Sequence, residues 1–256
     1  ILYVGIEERG SPHFESRLDP DADIELPDEI LSVYDEVMKR TAVAAREGLP
    51  REDLTQGHAL AAHPATRESQ LKFPELAEKH KNLLRNAVRT AADPDTRLIA
   101  VTVLPYLRRK FEVVDDLLWA LKDSDPPVRA AAVRGLTALN VRAQLDPDSE
   151  IKIPSTWFIE MLNSLSFSDR DQAARMLVEL SEERSDRVMI QLRERAMPAL
   201  IDMASLKKLE HSLPPFVLLG RVLGLPEKEI QAAWARNERE AVIQLARQSL
   251  KKRDRE

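Results

Sequence analysis

At 256 residues the chain is long enough for one or two domains, and with 43% hydrophobic and 32% charged residues it can form a packed core. Cysteine is absent, which removes disulfides, thiolate metal sites and cysteine nucleophiles together, and only seven glycines argue against Gly-rich phosphate loops. A formal net charge of −5 gives no global attraction to nucleic acid or anionic membrane, and no apolar run reaches the roughly 20 residues that span a bilayer.

Residue 1 is Ile rather than Met, as expected of a processed or excised piece of a longer product. With the lack of cysteine this leans toward an exported protein, while the compartment stays open. Ile1-Leu2-Tyr3-Val4-Gly5-Ile6 is rich in β-branched and aromatic residues and reads as one short strand. Residues 1–27 as a whole are expected to form an irregular, acidic arm broken by Pro12, Pro20 and Pro27. Between residues 7 and 36 eleven acids face only Arg9 and Arg17, a net of −9 that leaves +4 on residues 37–256. Such a segment reads as a solvated tail, with docking on an Arg-bearing surface of the chain's own body as the alternative.

From residue 28 onward helix signals dominate. Ile30, Leu31, Tyr34, Val37, Met38 and Thr41 recur at three- and four-residue spacing, Asp28 and Glu29 occupy the first turn, and Gly48 ends the helix. Short helical pieces broken by Gly57 and Pro64 are predicted over 51–73, so that 28–73 caps a larger helical body at 74–256. In that body Leu76, Leu83, Leu84, Ala87 and Val88 mark one helix, and Asp93-Pro94-Asp95-Thr96-Arg97 opens a second that is apolar almost all round to Leu107. Val113, Val114, Leu117, Leu118 and Leu121 mark a third, and Asp125-Pro126-Pro127-Val128-Arg129 opens a fourth.

The two openings share D-P-x-x-R-x-x-A at a spacing of 32 residues. The aspartate caps backbone N–H groups at a helix start, proline fits the first helical position because its missing donor is not needed there, and alanine lets helices approach closely. A third unit follows with Trp157, Phe158, Met161, Leu162 and Leu165, after a polar insertion at 141–154. Its next helix is expected to start at Ser168, capped with help from Asp171. A fourth pair spans 187–206, kinked by Pro198, and 214–223, and helices from 226 to about 252 cap the stack.

The doubled D-P-x-x-R octet, each copy opening an apolar helix after another helix, resembles the HEAT-repeat family and its bacterial members. The resemblance implies an all-α fold, a right-handed α-α superhelix built from paired helices. It also implies a ladder of Asp–Arg contacts between repeats using Arg97 and Arg129, with Asp93 and Asp125 as the acids. In such stacks the second helices line the concave side, so Arg97, Arg108, Arg109, Arg129, Arg134 and Arg142 would either be consumed by pairing or form an Arg-bearing groove for an acidic peptide or protein. The expected function is a non-catalytic, monomeric scaffold for a protein partner, with no cofactor, metal or nucleic acid.

Motifs for other chemistry are absent or incomplete: no GxGxxG, P-loop, GxSxG or HExxH occurs. His58 and His63 are spaced poorly for one helical face and read as ordinary surface or loop histidines. Asp19-Pro20-Asp21-Ala22-Asp23 imitates a calcium loop, but its sixth and twelfth positions are Ile24 and Ile30. Two alternatives remain. Trp119 and Asp123 lie four apart, as two groove residues of a HEAT-like DNA glycosylase or lyase-type enzyme could. The chain could also be the helical half of a larger protein whose missing N-terminal part carries the function.

Overall fold

The computed structural model describes residue 3 and residues 12–253, with side chains up to Lys251. The strand expected at residues 1–6 therefore lies outside the described residues, Tyr3 excepted. The chain divides into two compact units, Ser16–Ile153 and Ile1–Glu15 with Pro154–Glu256. Among the described residues both are all-α apart from one small hairpin and an isolated bridge between Ala22 and Ala91.

In the first unit, α1 (Asp28–Arg46) follows Pro27, carries Asp28 and Glu29 against the positive end of its dipole, and closes at Gly48, whose φ of 73° favours glycine. Ile30, Val37 and Ala44 fall one above the other and are buried where α1 meets α2 (Pro64–Gln70) and α3 (Phe73–Lys79). Between α1 and α2 the expected helical pieces are replaced by a hairpin of β1 (Glu52–Asp53) and β2 (Leu60–Ala61). The Thr55 N–H and hydroxyl both bond Asp53 Oδ1 and Gly57 takes φ 73°, so the turn chemistry overrides any helix start before Pro64.

The remaining helices of this unit form two stacked pairs. α4 (Lys81–Thr90) packs on α5 (Pro94–Val103), and α6 (Val114–Ala120) on α7 (Pro126–Leu145). α4 also lies beside α6 and α5 beside α7, so like helices of successive pairs form two rows. The single helix expected over 76–88 is split at His80, whose backbone leaves the helical region. α5 tightens into a 3₁₀ turn at Leu104–Tyr106, where Pro105 cannot donate to the ladder. Leu84, Val88, Ala100, Leu117, Leu121, Ala132 and Leu136 fill the space between the pairs. The polar insertion is shorter than expected, since α7 absorbs residues 141–145.

The second unit repeats the theme with less regular caps. α8 (Thr156–Met161) pairs with α9 (Phe167–Leu180). The cap of α9 is Ser166 rather than Ser168, and Asp169 is buried against the Ser164 hydroxyl at 2.8 Å. The Pro198 kink resolves into two helices, α10 (Asp186–Arg195) and α11 (Met197–Ala204), that pack on α12 (Leu209–Val222). α12 starts five residues before Pro214. The proline cannot satisfy the Glu210 carbonyl, and Arg175 Nη2 takes it at 3.0 Å. α13 (Glu227–Ala235) and α14 (Arg239–Arg253) close this unit against α12 and α11.

Candidate functional site

The two octets fold as their chemistry requires. Asp93 accepts from Thr96 N–H at 2.8 Å and Asp125 from Val128 N–H at 3.2 Å, each capping the helix that its following proline begins. Neither capping aspartate is the acid that Arg97 grips. That acid is Asp123. Arg97 Nε and Nη2 grip its two oxygens, both at 2.9 Å, and Nη1 bonds the Ala91 and Ala92 carbonyls. Arg129, in the matching position of α7, donates Nη1 to the Asp123 and Ser124 carbonyls. Each arginine thus closes the loop that precedes its helix, and Arg97 also ties the first pair to the second.

The arm is no solvated tail over residues 17–26. Arg17 N–H bonds the Lys122 carbonyl at 2.8 Å, Ala22 N–H bonds Thr90 O at 3.0 Å, and Ala22 O accepts from Ala92 N–H at 2.8 Å, so an extended segment runs along the α4–α5 and α6–α7 loops. Ala22, Ile24 and Leu26 face inward while Asp21, Asp23 and Glu25 are exposed. This period of two is present in the sequence, where the acidic composition masks it. Arg17 Nη2 reaches Asp123 Oδ2 at 2.6 Å and Val88 O at 2.9 Å, and Asp19 accepts from the Ser124 hydroxyl. The contact inverts the expected polarity: the arm's leading anchor is its arginine, held by an acid of the body.

Further contacts join the α4 and α6 rows. Lys81 pairs with Glu112, Arg85 and Arg89 with the buried Asp116, and the Trp119 ring lies under both Arg17 and Arg89 at 5.0 and 5.4 Å. On α5 and α7 the surface expected to be an open groove carries the hairpin. Arg134 grips both oxygens of Glu52, the buried Tyr106 hydroxyl donates to Ala59 O at 2.6 Å, and Lys110 Nζ bonds His58 Nδ1 at 2.8 Å. The small cavity left there is lined by Thr102, Tyr106, Arg134 and Gly135 among others. Arg108 is exposed on the loop after the 3₁₀ turn, its N–H on Glu78. Arg109 and Arg142 pair locally with Glu112 and Asp146. The six arginines therefore divide between buried contacts at the repeat loops, a hairpin contact, exposed loop positions and, for Arg142, a local pair at the end of α7.

Among the described residues, no group of three or more His, Asp or Glu side chains is placed to hold a metal ion, and no helix is long and apolar enough to cross a membrane. Asp123, the carboxylate of the enzymatic alternative, has both oxygens engaged by arginines and Oδ1 also accepts Asp125 N–H at 3.0 Å.

Residues 82–149, from the first turn of α4 to just past α7, match the family model of HEAT repeats. No curated protein matches the chain. HEAT repeats commonly serve as protein-interaction scaffolds and are typically non-enzymatic. With that match falling on the two stacked pairs and their arginine contacts, residues 82–149 of the chain are similar to HEAT repeats.

Proposed function

We propose that this protein is a non-catalytic scaffold that holds an extended segment of a protein partner along the loop edge of α4–α7, in the place its own arm takes. The observation that supports this is the seating of residues 17–22: three of its bonds to the edge are backbone to backbone, at Arg17 N–H, Ala22 N–H and Ala22 O, and any extended peptide can make them. Binding of this kind adds an extended segment to exposed loop amides and carbonyls without demanding a helical groove. The acidic-peptide groove read from sequence is less well supported, because Arg134 is engaged by Glu52 and Arg97 is buried.

Fluorescence anisotropy with a labelled peptide of residues 12–27 tests the reading on the full chain. Arg17→Glu sets a carboxylate against Asp123 and expels the arm, so this variant should bind the peptide at least about tenfold more tightly than the unmodified chain, whose edge is filled in cis. Equal or undetectable binding by both proteins, with circular dichroism showing both folded, would reject the edge as a binding site.

A further inference from the structure

We infer that the edge is selective, and that the partner segment it fits carries an arginine followed two residues later by an acid. This rests on the scaffold reading above and names the partner's chemistry. Three features of the seated arm carry it. The Arg17 guanidinium enters a recess whose floor is the Trp119 ring, with Asp123 Oδ2 at 2.6 Å and the Val88 carbonyl at 2.9 Å as acceptors. Such a recess rewards a flat cation that stacks and donates at once, which an ammonium does less well.

Charge balance supplies the second feature. Asp123 already neutralises Arg97, so an incoming arginine leaves one uncompensated positive charge at a buried point. Asp19 answers it: its carboxylate lies 3.8 Å from Arg97 Nη2 and accepts the Ser124 hydroxyl. An extended strand places side chains two apart on the same side, which brings an acid at that spacing to the same face as the arginine.

The third feature is what the edge ignores. Leu18 is 93% exposed, and Asp21, Asp23 and Glu25 point to solvent, so these positions of a partner are unread. The arm is moreover an incomplete ligand. Arg17 Nε and Nη1 are buried with no hydrogen-bond partner among the described residues, which weakens its hold and keeps it exchangeable. A partner that brings one more acceptor to that recess would displace it.

The test titrates the full-length Arg17→Glu protein with substituted arm peptides. Losing the charge-assisted bonds in peptide Arg17→Ala should weaken binding about a hundredfold, while Arg17→Lys and Asp19→Ala should each weaken it about tenfold. Peptide Asp21→Asn should bind within about twofold of the parent, since its side chain is exposed. Uniform binding by all peptides, or an Asp21 effect equal to that of Asp19, would overturn the selectivity and leave the scaffold reading standing. No binding by any peptide would overturn both. If Arg17→Glu does not fold, hydrogen exchange at the Ala22 amide of the full chain reads the same contact. There Asp19→Ala should speed exchange and Asp21→Ala should not, and equal effects would again overturn the signature.

Discussion

Asp123 is fully buried, and burial by itself favours the protonated carboxyl. The Arg97 hydrogen bonds, the Asp125 N–H and the nearby Arg17 charge outweigh it and hold the group below its ordinary 3.8. A carboxylate whose pKa is lower folded than unfolded stabilises the fold at pH values above the unfolded value, and that contribution disappears as pH falls through the folded one. Asp123→Asn leaves the buried Arg97 and the half-buried Arg17 without their anion, so urea denaturation at pH 7 should show a loss of about 3–5 kcal/mol, as for other broken buried pairs. The gap to the unmodified chain should narrow below pH 4. A gap that stays constant from pH 7 to pH 3 would mean that Asp123 does not stabilise as a charge. The sequence shows both capping aspartates because Asp-Pro announces a helix start. It does not separate Asp123 from them, since three closely spaced acids in Asp123-Ser124-Asp125 and Asp116 look alike until the loop geometry decides which one turns inward.

At the level of elements, the caps and the apolar spacing place α1 and α4–α7, while the hairpin at 52–61 escapes. Its strands are two residues each, too short to show alternation, and none of their residues is β-branched or aromatic. What holds the hairpin is tertiary. Lys110 Nζ donates to the Pro105 carbonyl at 2.5 Å and to His58 Nδ1, which can accept only while the ring is neutral. Burial, and after it the Lys110 charge, bring His58 down to about 4 from 6.5. Burial, and after it the Arg142 charge, bring Lys110 down to about 8 from 10.5. In both cases the unfolded chain binds the proton more tightly, so stability contributed here rises with pH from 4 to 6.5 and again from 8 toward 10.5. Above 10 the Tyr106 phenol, pushed up chiefly by burial, opposes the second rise. Lowering the pH from 6.5 to 4 should therefore speed hydrogen exchange of the hairpin amides relative to α7. His58→Gln should remove most of that relative change, and a hairpin whose response is identical in the two proteins would show that the His58–Lys110 contact does not hold it.

Over the whole molecule, the family match and the D-P-x-x-R octets fall in one unit only, and the helices after residue 154 were legible through apolar spacing without a matching cap. Both units nevertheless use glycine for the same purpose. A Cβ on Gly135 of α7 would come within 2.9 Å of Leu117 Cδ1 and 3.1 Å of Pro105 Cγ, and one on Gly220 of α12 within 2.6 Å of Ile230 Cγ1. Side-chain contacts this close admit a methyl group only if Leu117 or Ile230 shifts, and overpacking of a core of this kind costs about 1–3 kcal/mol. Because each core is built from its own helices, Gly220→Ala should lower hydrogen-exchange protection in α12–α14 by the corresponding factor of roughly 5–150 while leaving α4–α7 as they are. Gly135→Ala should do the reverse. Ile230→Ala added to Gly220→Ala should cost less than the sum of the two, since it empties the space the new methyl group needs. Equal loss of protection in both sets of helices after either glycine substitution would instead mean that the two cores open in one cooperative step. A partner held at the α4–α7 edge would then stabilise the entire chain rather than its first unit.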